Sequence, residues 1–315
     1  MLYSTSLSVL LGVCSASASP FQEAAFKVPT DSLGRCETVP NATQVLGLEK
    51  DFNEFLANPL SELQLADETQ GIKTINVYFH AVNSKSGTGS LLYVLGLFSR
   101  VVPPKTSPLV RNSQITAQID TLNGAYQGFG FRWSLAGISR SANSSWFSDA
   151  APGSQQQTDM KKVLKQGGAN ALNIYSVGFD SVPGLLGYSS FPATYRQKPY
   201  EDGVVVKYTT LPGGPSSLYN LGMTSVHETG HWLGLYHTFQ GGCDGLGDYV
   251  SDTAPEGSGA SGCPSGRRTC PKSGQVDPIH NYMDYSVDSC MNQFTSGQIE
   301  RAKSQIRVYR GLNVA

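Results

Sequence analysis

His227-Glu228-Thr229-Gly230-His231-Trp232-Leu233-Gly234-Leu235-Tyr236-His237 reads H-E-x-x-H-x-x-G-x-x-H. Histidines four residues apart leave one face of a helix together, so His227 and His231 can reach a single Zn²⁺. Glu228, one residue round from the first ligand, is placed near a metal-bound water that it can deprotonate. Gly234 can take the left-handed conformation that ends a helix without a Cβ penalty. The chain then turns and brings back His237 as a third ligand. Three protein ligands leave a fourth position for water, which is the catalytic rather than the sealed structural arrangement. A bare H-E-x-x-H arises by chance in roughly 1% of chains of this length, and the added Gly and His lower that by about three orders of magnitude. Three of the chain's five histidines fall at ligand positions in this stretch. An amphipathic helix with incidental histidines is therefore set aside, although Trp232, Leu233, Leu235 and Tyr236 are expected to pack. The two other histidines, His80 and His280, receive no role.

Downstream lies Asn281-Tyr282-Met283-Asp284-Tyr285. A methionine on a tight turn beneath the zinc is the second half of the metzincin signature, and Met283 fits it. Tyr285, two residues later, can place a phenol beside the metal and hydrogen-bond a developing oxyanion. The resemblance then narrows. Thr238-Phe239-Gln240-Gly241-Gly242-Cys243 and Gly247-Asp248-Tyr249-Val250-Ser251-Asp252-Thr253 follow the motif, and Asp288-Ser289-Cys290-Met291-Asn292-Gln293-Phe294-Thr295 follows the turn. Together these runs resemble the pappalysin family in its secreted fungal and bacterial branch, densely from about Leu185 to Arg307. The resemblance implies a secreted zinc endopeptidase made as a zymogen. It implies zinc on His227, His231 and His237, Glu228 as general base and Tyr285 beside the metal.

Composition agrees. The chain has 315 residues, enough for one catalytic domain plus a leader. Charged residues make up 15% and the net charge is −1, so no basic stripe exists to neutralise phosphates and nucleic acid is not an expected partner. Thirty-four glycines point to a loop-rich fold. At the N-terminus Leu7–Val13 forms a short apolar run and Ala16-Ser17-Ala18 offers small residues to a signal peptidase. The run is too short to span a bilayer. A signal at 1–18, a pro-segment over 19–70 and a catalytic domain over 71–315 are expected, hence a secreted, extracellular protein without a membrane anchor. Asn41-Ala42-Thr43 and Asn143-Ser144-Ser145 are N-glycosylation sequons compatible with that route.

Of six cysteines, Cys14 leaves with the signal. Cys243, Cys263, Cys270 and Cys290 allow three pairings. The family resemblance implies Cys243–Cys270 and Cys263–Cys290. Oxidised pairs suit an extracellular protein, and no C-x-x-C spacing supports a cysteine-zinc site. Cys36 is left over, in Gly34-Arg35-Cys36-Glu37-Thr38. A thiolate is a good fourth zinc ligand, and zymogens similar to this chain use an Arg-Cys-Gly-type cysteine switch for latency. Here Glu37 stands in the place of the glycine, and a spare thiol and an intermolecular disulfide stand as the other readings of Cys36.

The fold class expected is α+β: a metzincin-type mixed sheet with an active-site helix above an irregular, disulfide-linked lower subdomain. Helices are predicted over Val45–Leu56, Ser113–Gln127, Asp159–Lys165, Asn220–Gly234 and Ser296–Tyr309. Strands are predicted over Lys73–Val82, Phe129–Ile138, Ala171–Val177 and Gly203–Tyr208. Gly184–Pro192 resembles the family's upper edge strand, on which an extended substrate can pair as an added strand. Asp244, Asp248 and Asp252, with Thr253, offer hard oxygens in the loop after His237, and Ca²⁺ is a candidate second ion at Asp248, Asp252 and Thr253. The function expected is Glu-assisted, zinc-dependent hydrolysis of polypeptide substrates. Two alternatives stand beside it: a non-catalytic zinc-binding interaction protein on the same scaffold, and a zinc hydrolase of non-peptide amides or esters.

Overall fold

The structure is a computed structural model that describes residues 35–57, 72–84 and 110–314. The expected signal at 1–18 and the processing region before residue 71 lie outside the described residues. Of the expected pro-segment, residues 35–57 are described.

Among the described residues five strands, β1 (Lys73–Asn83), β2 (Phe131–Ala142), β3 (Ala171–Val177), β4 (Gly187–Ser189) and β5 (Val204–Lys207), form one sheet in the order β2-β1-β3-β5-β4. The first four in that order run parallel, and β4 runs antiparallel to β5 at the edge. Strand alternation explains how the sheet divides the interior. Ile75, Val77, Phe79 and Ala81 of β1 are fully buried at every second position. They belong to the larger core with α2 (Asn112–Ala125), α5 (Met223–Trp232) and α6 (Ser296–Arg310), whose side chains include Ile115, Leu122, Val226, Trp232 and Ile306. Tyr175, Val177 and Val205 join a second cluster with Phe147 of α3 (Ser144–Asp149) and Met160 of α4 (Gln155–Leu164). Strand β3 is buried along its whole length, as a parallel strand covered on both faces must be.

Most elements fall where periodicity predicts, and the departures have local causes. Strand β2 starts two residues late because Gly128 and Gly130 take φ of 94° and 78° in the preceding turn. Helix α5 starts at Met223 rather than Asn220 because Gly222, at φ 87°, breaks the backbone before it. Helix α4 begins four residues early, where Ser154 caps it by accepting from Gln157 N. Helix α3 was not predicted; its N-cap is the sequon residue Asn143, whose side chain accepts from Trp146 N. The other sequon residue, Asn41, caps the first turn of α1 (Ala42–Ala57) by accepting from Gln44 N at 2.9 Å.

Between His237 and Thr295 the only helices are short 3₁₀ turns, at Pro271–Ser273 and Asp288–Cys290. This irregular region is held by Cys243–Cys270 and Cys263–Cys290, each spanning 27 residues and interleaved as the resemblance implied. Closing loops of that length stabilises by about 3–4 kcal/mol each in the chain-entropy account. Arg267 adds a polar tie, donating to Glu256 Oε1 at 2.6 Å and to Asp277 Oδ2 at 2.7 Å.

The C-terminal helix secures the active-site helix from below. Arg310 forks onto Asp202 through two 3.1 Å contacts, and both side chains are fully buried. Its guanidinium also lies 3.4 Å from the Trp232 ring centroid and donates to Trp232 O at 2.9 Å. Trp232 Nε1 donates to the same carboxylate at 3.1 Å. Asp202→Ala leaves the arginine charge buried without its partner, an expected loss of about 3–5 kcal/mol. Urea unfolding checks this, and an unchanged midpoint would refute the role given to the pair.

Candidate active site

Helix α5 carries the first part of the motif and is buried from Thr224 to Trp232. It lacks a capping side chain at Gly222. Asp288 supplies one from the lower region, accepting from Leu221 N at 2.8 Å and Met223 N at 3.4 Å through Oδ2. Tyr126 donates to Val226 O at 2.7 Å. A Cβ on Gly230 would sit 2.3 Å from Met283 Sδ, so glycine at this unspecified motif position lets the methionine pack against the helix. Gly234 takes φ 93° and ends the helix as predicted. The next residues then turn back, with Leu235 N donating to Gly230 O at 2.9 Å.

The turn converges three imidazoles. His237 Nε2 lies 3.1 Å from both His227 Nε2 and His231 Nε2. Nδ1 of His227 is 2.7 Å from Tyr282 O, and Nδ1 of His231 is 2.8 Å from Leu235 O. A carbonyl only accepts, so these contacts place the ring proton on Nδ1 and leave Nε2 as a lone pair. Burial holds all three rings neutral: it lowers His227 to about 4 and pushes His231 and His237 well below the ordinary imidazole range. Cys36 Sγ completes the group 3.5 Å from His231 Nε2. One donor atom from each of these four residues lies within 4.8 Å of the others. Buried lone pairs facing one another repel unless a cation sits among them. Three nitrogens and one sulfur suit a borderline-soft, tetrahedral dication, so these residues fit a zinc ion.

The structure also brings the other expected residues together. Glu228 is 1% exposed; its Oε2 accepts from Thr38 Oγ1 at 3.2 Å, and Oε1 has no partner among the described residues. Burial raises its pKa to about 8. Tyr285 is buried beside His237, with ring centroids 4.9 Å apart, and its hydroxyl donates to Cys36 O at 3.0 Å. Met283 is fully buried, and its carbonyl accepts from Thr238 N at 3.2 Å, tying the turn to the residue after His237.

Residues 35–38 lie along β4. Arg35 O accepts from Leu186 N and Gly187 N, Glu37 N donates to Gly187 O, and Thr38 Oγ1 accepts from Ser189 N at 2.7 Å. A Cβ on Gly187 would meet Glu228 Cγ at 2.9 Å and Val205 O at 3.1 Å, while Glu37 itself is exposed. Beside Glu228 a cavity of about 30 Å³ is lined by Arg35, Tyr219, Thr224, Asp288 and Met291 among others. The Arg35 guanidinium lies 4.6 Å from the Tyr219 ring centroid.

The calcium residues converge less fully. Asp248 Oδ2 and Thr253 Oγ1 are buried without partners among the described residues, and burial raises the Asp248 pKa to about 7. Asp252 Oδ2 accepts from Gly297 N at the start of α6. His80 is spent on structure, with Nδ1 2.7 Å from Ser139 Oγ and Nε2 2.9 Å from Asn173 Oδ1. His280 Nδ1 is 2.7 Å from Cys290 O.

Sequence reasoning missed Thr38, Gly187, Gly230, Asp288 and the amide pair Asn281–Gln298, which joins the methionine turn to α6 through bonds of 2.7 and 3.1 Å. All of these but Gln298 lie inside runs already singled out, yet their contacts carry no signal without the fold.

A family model described as pregnancy-associated plasma protein-A, peptidase M43, matches residues 193–307. An extracellular metalloprotease of Neurospora crassa is 41% identical over 264 residues, covering 81% of this chain and 84% of that one. Extracellular metalloprotease 1 of Coccidioides posadasii is 47% identical over 204 residues, 64% of this chain and 71% of that one. Among solved structures, Tannerella forsythia promirolysin aligns with a TM-score of 0.63 at 26% identity, covering 88% of this chain and 96% of that one. Mature mirolysin in complex with a cleaved peptide aligns at 0.59 and 28% identity, covering 76% and 95%. Fold and relatives together define an extracellular metalloprotease with a metzincin architecture. The chain belongs to the pappalysin family.

Proposed function

We propose that the chain is a secreted zinc endopeptidase made as a zymogen, with a signal over 1–18, a pro-segment over 19–70 and a catalytic domain over 71–315. His227, His231 and His237 would hold the zinc, and Cys36 Sγ would close the site in the latent form. The convergence of three neutral, buried Nε2 atoms carries this reading. A bound zinc supplies Lewis acidity, polarising a scissile carbonyl and acidifying water. The partnerless Glu228 Oε1 takes the proton from the attacking water and later passes it to the leaving amine. The Tyr285 hydroxyl, which now donates to a peptide carbonyl, donates to the oxyanion. Edge strand β4 already binds residues 35–38 through its backbone, which supports an extended polypeptide over a small amide as substrate. The cavity beside Glu228 is lined by both Arg35 and Asp288, which suits a basic substrate side chain. Asp248 and Thr253 are proposed to supply oxygens to a calcium ion, with Asp252 as a further candidate should its carboxylate leave Gly297 N.

Hydrolysis of a denatured protein by processed enzyme tests the reading. Activity should fall to background in 1,10-phenanthroline and return on adding Zn²⁺. Product sequencing should place the cuts beside Arg or Lys. Turnover unaffected by the chelator would overturn the zinc assignment.

A further inference from the structure

Away from the zinc site, α1 is seated on the catalytic domain through a built carboxylate receptor. Glu49 Oε1 accepts from Arg301 Nη2 at 2.5 Å and from the Tyr236 hydroxyl at 2.9 Å; Glu49 Oε2 accepts from Arg301 Nη1 at 3.2 Å. The Arg301 and Glu49 side chains are each 8% exposed. Besides Glu49 and the Phe52 ring of α1, 5.9 Å away, Arg301 is held by groups of the catalytic domain. Its Nε donates to Gly234 O at 3.1 Å, and its guanidinium lies 4.9 Å from the Tyr236 ring and 5.8 Å from the Tyr249 ring. A planar fork fixed by a carbonyl and aromatic faces is pre-organised for a carboxylate.

The receptor is one end of a longer surface. Phe52 stacks on Tyr309 with centroids 6.2 Å apart, and Phe55 meets Tyr309 edge-on at 6.0 Å. The Arg196 guanidinium lies 3.9 Å from the Phe55 ring. Glu49, Phe52 and Phe55 recur every three residues, so one helix face presents an acid and two aromatics to a basic, aromatic surface. The other end approaches the histidines: Tyr236 lies 5.3 Å from Phe191, whose ring is 5.5 Å from that of His231.

We propose that, once the pro-segment is removed, the Arg301–Tyr236 receptor and the Arg196–Tyr309 face form an exosite that captures acidic–aromatic segments of polypeptide substrates. The occupant is a segment carrying a carboxylate followed by aromatics at three and six residues, the pattern that α1 displays. The inference rests on the reading of 19–70 as a removable pro-segment.

The test uses the full chain, freed of residues before 72 by limited proteolysis and separated from the released segment by gel filtration. Two quenched peptides share one cleavable core, and one carries the sequence of residues 49–55 through a Gly/Ser linker at either end. The tagged peptide should show a KM at least tenfold lower with kcat unchanged. Changing the first Glu of the tag to Gln, or Arg301→Lys in the enzyme, should remove most of that gain. Equal KM values for tagged and untagged peptides, or a gain that survives the Glu-to-Gln change, would overturn the proposal. Binding of a free 42–57 peptide without any KM gain would also overturn it, since the surface would then serve the pro-segment alone. If neither peptide is cut, the hydrolytic reading falls, and fluorescence anisotropy with the tagged and Gln-tagged peptides still decides the exosite.

Discussion

Glu228→Gln should remove nearly all turnover, a loss on the order of 10²–10⁴-fold in kcat, while the protein still folds and binds zinc. The amide keeps the size of the carboxylate and can still meet Thr38 Oγ1, so the buried surroundings of the side chain are preserved. What disappears is the ability of Oε1 to accept and return a proton. The three Nε2 donors are untouched, and equal zinc content with an unchanged thermal midpoint would show it. The pH profile gives a second readout. A general base works deprotonated, so wild-type activity should rise with pH through the Glu228 pKa, which burial sets at about 8 in the latent chain. The small residual rate of the Gln variant should lack that limb. A variant with wild-type turnover would remove Glu228 from the chemistry.

The histidine positions were legible in the sequence because helix geometry converts spacing into direction. Four residues bring His227 and His231 to one face, and Gly234 marks where the chain must turn. Tyr285 and Met283 were legible through the turn that carries them. The pairing partners were not, because burial and convergence depend on segments far apart in the chain. Thr38 reaches Glu228 across 190 residues. Gly230 and Gly187 look like ordinary glycines until Met283 and Glu228 are packed against them. Asp252 has a partner that spacing does not announce: the Gly297 N at the start of α6 donates to its carboxylate. The receptor for Glu49 had no local signature at all, since Tyr236 belongs to the zinc motif and Arg301 to a helix 65 positions later in the chain.

Cys36→Ser should make the uncut chain active. In the proposed latent form the sulfur would occupy the position that water needs, and Cys36 is 6% exposed. Burial and the nearby Glu228 carboxylate push the free thiol well above its ordinary pKa. A thiolate there therefore depends on the stabilisation a zinc ion gives it. Serine is shorter, is a poorer ligand for zinc and ionises far less readily, so the variant loses that tie. It keeps the others: Arg35 and Glu37 still pair with β4, Tyr285 still donates to the carbonyl of residue 36, and Glu49 still grips Arg301. The segment should thus open part of the time. Turnover of a short quenched peptide by intact full-length chain should rise at least tenfold over the wild-type zymogen, yet stay below that of processed enzyme. A gel at the end of the assay must show the chain uncut, and adding Glu228→Gln must abolish the gain. If Cys36→Ser is as silent as the wild type, the backbone pairing and the α1 anchor hold latency by themselves and the cysteine is not the switch. Adding Glu49→Gln to the serine variant then separates the two holds, because loosening α1 should release activity only if that helix, and not the sulfur, keeps residues 35–38 over the histidines.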